Sequence, residues 1–168
     1  MDGVRVVRVP VLFRFNKGVF MPAFPVVALR EIGAADVVSI HLPQIEAAVS
    51  AFLTRVKGRK PLLTYHCDLE MPPVWYGKVV DRITYWDNVL AGKLADTFVA
   101  YAQDFANHSP ILSRFREKVR VILPPVVIPD PVPAEVCALK ERVGIGPATK
   151  VIGFAARFDR DALAAETV

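Results

Sequence analysis

Short β-branched runs alternate along this chain with segments whose apolar residues recur at helical spacing. That alternation constrains the fold more than any other feature. Asp36–His41, Pro61–His66, Thr97–Tyr101 and Val119–Leu123 read as strands, because β-branched and aromatic side chains suit a pleated, buried surface. Between them, Gln44–Lys57 carries Ile45, Val49, Phe52 and Val56 on one helical stripe, closed by Gly58. Tyr76–Leu94 does the same with Val79, Ile83, Trp86 and Leu90. Gln103–Ser109 is a shorter helix, and Pro110 can open another that runs to about Phe115. Strands that alternate with helices imply parallel strands joined by right-handed crossovers. The expected fold is therefore α/β, a Rossmann-like parallel sheet flanked by helices.

Upstream, Val4–Val9 alternates apolar and basic residues and predicts a strand with one wet face, ended by Pro10. Phe13–Gly18 reads as a loop, and Pro22–Ile32 as a helix stopped by Gly33. Downstream, Pro124–Pro133 holds five prolines in ten residues, too many for a helix or a central strand. It reads as a semi-rigid linker. A helix over Ala134–Val143 and a strand over Lys150–Phe154 follow. The expected organisation is a domain over 1–123, a linker over 124–133, and the start of a second domain over 134–168.

Composition excludes several classes. Apolar residues make up 53% and charged residues 23% of the chain, which describes a globular and not a disordered polymer. Cys67 and Cys137 form no disulfide framework and no zinc spacing, so reduced thiols in a cytoplasmic protein are the simpler expectation. The longest apolar stretch, Gly18–Leu29, contains Pro22 and Pro25 and is too short to span a bilayer. Met1-Asp2-Gly3 does not open a signal peptide. The net charge of +4 is uneven: residues 1–60 hold nine Lys/Arg against four Asp/Glu. A basic face attracts phosphate, nucleic acid or an anionic membrane surface; an ordinary solvated surface explains it equally well. The loop Phe13–Met21 mixes Phe13, Phe15, Phe20 and Met21 with Arg14 and Lys17, and suits either a membrane contact or core packing.

In open α/β sheets, ligands bind beyond the carboxyl ends of the strands. Two of the predicted strands end in histidine, at His41 and His66. In an extended chain His66 and Asp68 share one side, offering a donor and an acceptor to a polar ligand such as a sugar hydroxyl. The plainer alternative is a histidine bonded to a backbone carbonyl. No metal is expected, since His66, Cys67 and Asp68 are too close in sequence to converge on one ion and no second cluster completes a set. Neither a dinucleotide fingerprint nor a P-loop is present, and no Gly-x-Ser-x-Gly elbow. Asn107-His108-Ser109 matches a glycosylation sequon but precedes Pro110. Arg114, Arg116, Lys118 and Arg120 read as a solvated helix end complementing the carbonyl dipole.

Taken in order, several segments resemble glycosyltransferase family 4. They are Asp2-Gly-Val-Arg-Val6, Ala35-Asp-Val-Val-Ser-Ile-His-Leu-Pro43, Thr64-Tyr-His-Cys-Asp68, Ala95-Asp-Thr-Phe-Val-Ala100, Ser109-Pro-Ile-Leu-Ser-Arg-Phe115 and Lys118-Val-Arg-Val-Ile122. Val151-Ile-Gly-Phe-Ala-Ala-Arg-Phe158 resembles the strand and loop that open the family's second domain. The resemblance spans nearly residues 2–158 and rests on order and spacing.

It implies the two-Rossmann-domain (GT-B) architecture, here a partial acceptor domain followed by the first strand of a donor domain. The implied activity is retaining transfer of a sugar from a nucleoside-diphosphate sugar, the substrate in place of any cofactor, to a lipid, sugar or other small acceptor. His66 matches a family histidine near the acceptor and the reacting sugar, and is the expected catalytic residue. His41 and Asp68 fall in motifs that line the same cleft. Arg157 matches the arginine that meets the donor diphosphate, where its fork pairs with phosphate oxygens. A location at the inner face of a membrane is the finer expectation, and nucleic acid is not expected among the partners.

The departures from the family are specific. Its opening strand, Gly-rich turn and helix have no counterpart before Asp2. The donor lysine expected shortly after Arg157 is replaced around Ala162 and Leu163, and the tail Asp159–Val168 does not resemble the family. A truncated, frameshifted or split gene is the expectation, with a fragment inactive alone. A non-catalytic α/β interaction module and a Rossmann-like dehydrogenase are the alternatives, the latter disfavoured by the missing Gly-rich fingerprint.

Overall fold

In the computed structural model the described residues are 3–15, 18–69, 71, 74–126, 129–146 and 148–152. They form two compact units, divided between Pro125 and Val126. The first unit contains β1 (Phe13–Phe15), β2 (Gly18–Phe20), α1 (Phe24–Ile32), β3 (Val37–Leu42), α2 (Ala47–Val56), β4 (Lys60–Tyr65), α3 (Trp75–Leu94), β5 (Thr97–Ala100), α4 (Gln103–His108), a 3-10 segment (Leu112–Lys118) and β6 (Val119–Val121). The second unit contains α5 (Pro133–Arg142), all of whose residues are exposed.

Strands β3 to β6 form a four-stranded parallel sheet in sequential order. The fold is thus α/β and Rossmann-like. Register sets the two faces. Val37 pairs with Lys60 and Leu62 with Thr97, so Ile40, Leu42, Leu63, Tyr65, Phe98 and Ala100 share one face by the period-two rule. All six belong to the core cluster, together with Ala47, Ala48 and Ala51 of α2 and Val89 and Ala91 of α3. Sequential strand order with right-handed crossovers stacks the connecting helices on that one face.

Close helix packing depends on small residues. Helix α2 buries Ala47, Ala48, Ser50, Ala51 and Thr54. On α3, a Cβ at Gly92 would lie 2.6 Å from the Phe115 ring and 2.8 Å from Phe98, so only glycine fits between those stacked rings. The C-terminal end of α3 is tied down. Lys118 Nζ donates to the carbonyls of Gly92 (3.0 Å) and Ala95 (2.8 Å). Arg55 donates to Leu94 O and to Asp96, each at 2.7 Å. These bonds satisfy carbonyls that have no partner within the helix. Asp87 on α3 accepts the Ala48 N–H at the start of α2, at 3.2 Å.

Several expectations are corrected. Val4–Val9 is not a strand; its alternation has no neighbouring strand to pair with among the described residues, and Arg5 instead bonds Glu31. Phe13–Phe15 and Gly18 are not a plain loop but belong to the antiparallel strands β1 and β2, and Asn16 and Lys17 lie outside the described residues. Phe13 pairs with Phe20 there, ring centroids 5.0 Å apart, a cross-strand aromatic contact that stabilises hairpins. The helix expected from Pro110 is a 3-10 segment beginning at Leu112. Residues 150–152 form no strand, and the rest of Lys150–Phe154 lies outside the described residues. Val49, Phe52, Val56 and Val79, Ile83, Trp86, Leu90 are helical, whereas Ile45 lies in the turn before α2; none of the eight faces the core, and all are exposed. The sheet instead takes the small-residue side of each helix.

Candidate functional site

The carboxyl ends of β3 and β4 bring His41 and His66 together. His41 lies opposite Thr64 in the ladder, and His66 follows Thr64 by two residues, so both imidazoles stand on the sheet face away from α2 and α3. The His66 N–H donates to Leu42 O at 3.1 Å, which extends the ladder by one residue and fixes the ring's origin. His41 Nδ1 and His66 Nε2 are 2.8 Å apart. The rings stack, with centroids at 5.1 Å and 17° between planes. Such a bond needs one ring N–H and one bare ring nitrogen, so the tautomers of the two residues are linked. Ser39 Oγ lies 3.5 Å from the other nitrogen of His41. Nδ1 of His66 makes no hydrogen bond among the described residues and is left to meet a ligand or water.

Tyr101, just past β5, adds a third ring. Its centroid is 5.2 Å from that of His66. Sequence reasoning missed it as a site residue, although Tyr101 ends the β5 run as His41 and His66 end theirs. The three side chains form a polar, aromatic-walled ledge at the carboxyl edge of the sheet. An aromatic face beside hydrogen-bonding nitrogens suits a ligand with both hydroxyl groups and apolar C–H faces.

Asp68 sits differently. Its Oδ1 accepts from Tyr65 Oη and from Ser109 Oγ, each at 2.8 Å. Tyr65 is buried on the helix side of β4 and stacks on Phe105 at 5.9 Å. Burial, with the neighbouring Asp68 carboxylate, pushes the Tyr65 phenol up from its ordinary value, so it stays protonated and keeps donating. Asp68 therefore holds the loop after β4 against the start of the 3-10 segment, where Ser109 Oγ also accepts the Leu112 N–H at 3.4 Å. Asp68 thus anchors the loop that leaves His66. Tyr65 and Ser109 were not foreseen as its partners; Ser109 lies 41 residues further along the chain.

Arg157 lies outside the described residues. Cys67 and Cys137 are free and exposed. No group of three His, Cys, Asp or Glu among the described residues could hold a metal ion, and no described helix is long and apolar enough to cross a membrane. Part of the basic run is engaged rather than solvated: Lys118 caps α3, and Arg114 donates to Tyr85 Oη at 3.0 Å. A polar groove between α4 and β6, lined by Gln103, Asn107, Arg116 and Arg120, has a volume of about 190 Å³; it contains neither His41 nor His66, and the strand-end ledge is the better site on chemical grounds. Comparison with protein-family models and with curated proteins found no match for this chain.

Proposed function

We propose that this chain is the acceptor side of a nucleotide-sugar-dependent glycosyltransferase with GT-B architecture, and that the His41–His66–Tyr101 ledge receives a sugar or other polyhydroxylated acceptor. The observation that carries the reading is the 2.8 Å contact between His41 and His66. Two residues far apart in sequence, singled out because each ends a strand, meet at the edge where α/β sheets bind ligands. In this reading His66 is the catalytic residue beside the acceptor hydroxyl and the reacting sugar. His41 fixes its tautomer, much as a hydrogen-bonded neighbour orients any functional imidazole. Asp68 acts through the loop it anchors. The donor side is assigned to Arg157 by resemblance alone, and the donor is a nucleoside-diphosphate sugar in the same sense. Location in the cytoplasm, at the inner face of a membrane, belongs to this reading too.

The test is imidazole-selective NMR of the whole chain, titrated with a panel of monosaccharides, disaccharides and nucleoside-diphosphate sugars. Saturable shifts of His41 and His66 together, lost in His66→Ala, are expected for an acceptor sugar. Resonances that do not move for any member of the panel overturn the proposal. A non-catalytic interaction module is the second reading, favoured by the exposed apolar sides of α2 and α3.

A further inference from the structure

The outer sides of α2 and α3 are built alike. Ile45, Val49, Phe52 and Val56 lie four, three and four residues apart, and so do Val79, Ile83, Trp86 and Leu90. That spacing keeps Val49, Phe52 and Val56 on one stripe of α2, with Ile45 in the turn just before it, and the other four on one stripe of α3. Each stripe lies opposite the small residues that its helix buries, such as Ala47, Ala51 and Thr54 on α2 and Thr84, Asn88 and Ala91 on α3. The side chains are 40–60% exposed. Since α2 and α3 pack against each other, the two stripes share the outer surface of one helical layer. A patch of this extent marks an interaction surface.

Charge selects the occupant. The basic residues on or beside the stripes are Lys57, Lys78, Arg82 and Lys93, all exposed and none in an ion pair among the described residues. The acidic residues of α3 are turned away: Asp87 accepts the Ala48 N–H and Asp81 the Met71 N–H. Asp96, just after α3, is neutralised by Arg55. A second copy of the chain fits poorly, because a two-fold pairing would set these cations against one another. Trp75, 80% exposed at the start of α3, and Trp86 further along it have the amphipathic rings that settle at a membrane–water interface. Apolar side chains, interfacial tryptophans and unpaired cations together describe a helix surface that lies in the plane of an anionic bilayer.

We propose that the outer face of α2 and α3 docks this protein onto an anionic lipid surface. The inference deepens the membrane location included in the proposed function by naming the surface and the lipid charge, but it is carried by these helix faces alone, so a failed sugar titration leaves it standing.

The chain has only two tryptophans, and both lie on this face, so their fluorescence reports it directly. The whole protein is mixed with phosphatidylglycerol–phosphatidylcholine vesicles carrying brominated acyl chains, and with phosphatidylcholine vesicles alone. Quenching and a blue shift with the anionic vesicles are expected, weakened by salt and much weaker with the neutral ones. Lys78→Gln, Arg82→Gln and Lys93→Gln combined should weaken binding on the order of 100-fold, taking about 1 kcal/mol per charge. Ile83→Gln with Leu90→Gln keeps both tryptophans and should abolish quenching. The wild-type quenching stands by itself if a variant fails to fold. The proposal is overturned if vesicles carry the protein down without quenching, because another surface then binds. It is equally overturned if nothing binds, if either variant binds as the wild type does, or if the tryptophans are already blue-shifted in a lipid-free oligomer.

Discussion

Asp87→Asn should make this protein more stable at neutral pH, although it removes a charge from the start of a helix. Asp87 reaches from α3 to the first turn of α2 and accepts the Ala48 N–H at 3.2 Å. Two opposing effects act on its carboxyl. The N–H groups and dipole of α2 favour the carboxylate, whereas burial and the nearby Glu46 oppose it. Burial wins, and pushes Asp87 up to about 6, against about 4 for an ordinary aspartate. A folded value raised above the unfolded one means that the acid form folds more favourably. Its contribution is complete below about pH 4 and is lost as pH rises through about 6. A difference of that size corresponds to roughly 3 kcal/mol for a fully desolvated group. Asp87 keeps part of its solvent contact, and screening reduces the figure to about 1–1.5 kcal/mol. Asparagine has the same shape and can still accept the Ala48 N–H, but it does not ionise. Urea unfolding of both proteins from about pH 4 to pH 8 isolates the effect as a difference curve, in which the other titrating groups cancel. The curve should be flat near pH 4, rise between about pH 4 and 7, and level off with the variant ahead. A flat curve, or a variant less stable at the alkaline end, refutes the reasoning and means that the helix terminus outweighs burial.

Three further substitutions probe the packing. Gly92→Val should cost about 2–3 kcal/mol by overpacking against the Phe115 and Phe98 rings, measured by chemical denaturation; an unchanged midpoint would show that the rings give way freely. Asp68→Ala leaves the Tyr65 and Ser109 hydroxyls without their acceptor and should cost about 2–4 kcal/mol, with faster hydrogen exchange in the loop after β4. Lys118→Met removes the donor to the last carbonyls of α3 and should cost about 1–3 kcal/mol, with exchange protection lost first around Gly92–Ala95.

The sheet was legible because its strands are short β-branched runs bounded by Gly and Pro, and because parallel pairing follows from the helices between them. The order of elements sufficed for that step. What the pattern could not supply was a partner for each run. Val4–Val9 has strand alternation and no ladder among the described residues, while Phe13–Phe15 and Gly18–Phe20, too short to register as strands, gain theirs from each other.

The site was legible in part for the same reason. His41 and His66 stand out because each closes a strand, but their contact depends on the β3–β4 register, which pairs His41 with Thr64 and which no local pattern encodes. Asp68 was expected beside His66 on period-two grounds. The regular strand ends at Tyr65, so that rule no longer holds by the time the chain reaches Asp68, which turns toward the hydroxyls of Tyr65 and Ser109 instead.

The helices show why apolar periodicity finds a helix more surely than it finds the core. Helix α2 carries two stripes of the same period: a large one, Val49, Phe52 and Val56, preceded by Ile45 in the turn before the helix, and a small one formed by Ala47, Ala51 and Thr54. A stripe of large residues is ordinarily the buried one. Against this sheet the space is set by the strands' own bulk, Leu63, Tyr65 and Phe98, all fully or almost fully buried, and close packing leaves room mainly for small residues: alanine, serine and threonine on α2, and glycine, alanine and threonine with Asn88 and Val89 on α3. The small stripe therefore turns inward and the large one outward, on α3 as on α2. Leaving the large stripes half exposed forgoes about 25 cal/mol for every Å² of apolar surface that stays wet. Two adjacent helices that repeat this arrangement, with cations and tryptophans set around it, are better explained by a surface that covers them than by a failure of packing.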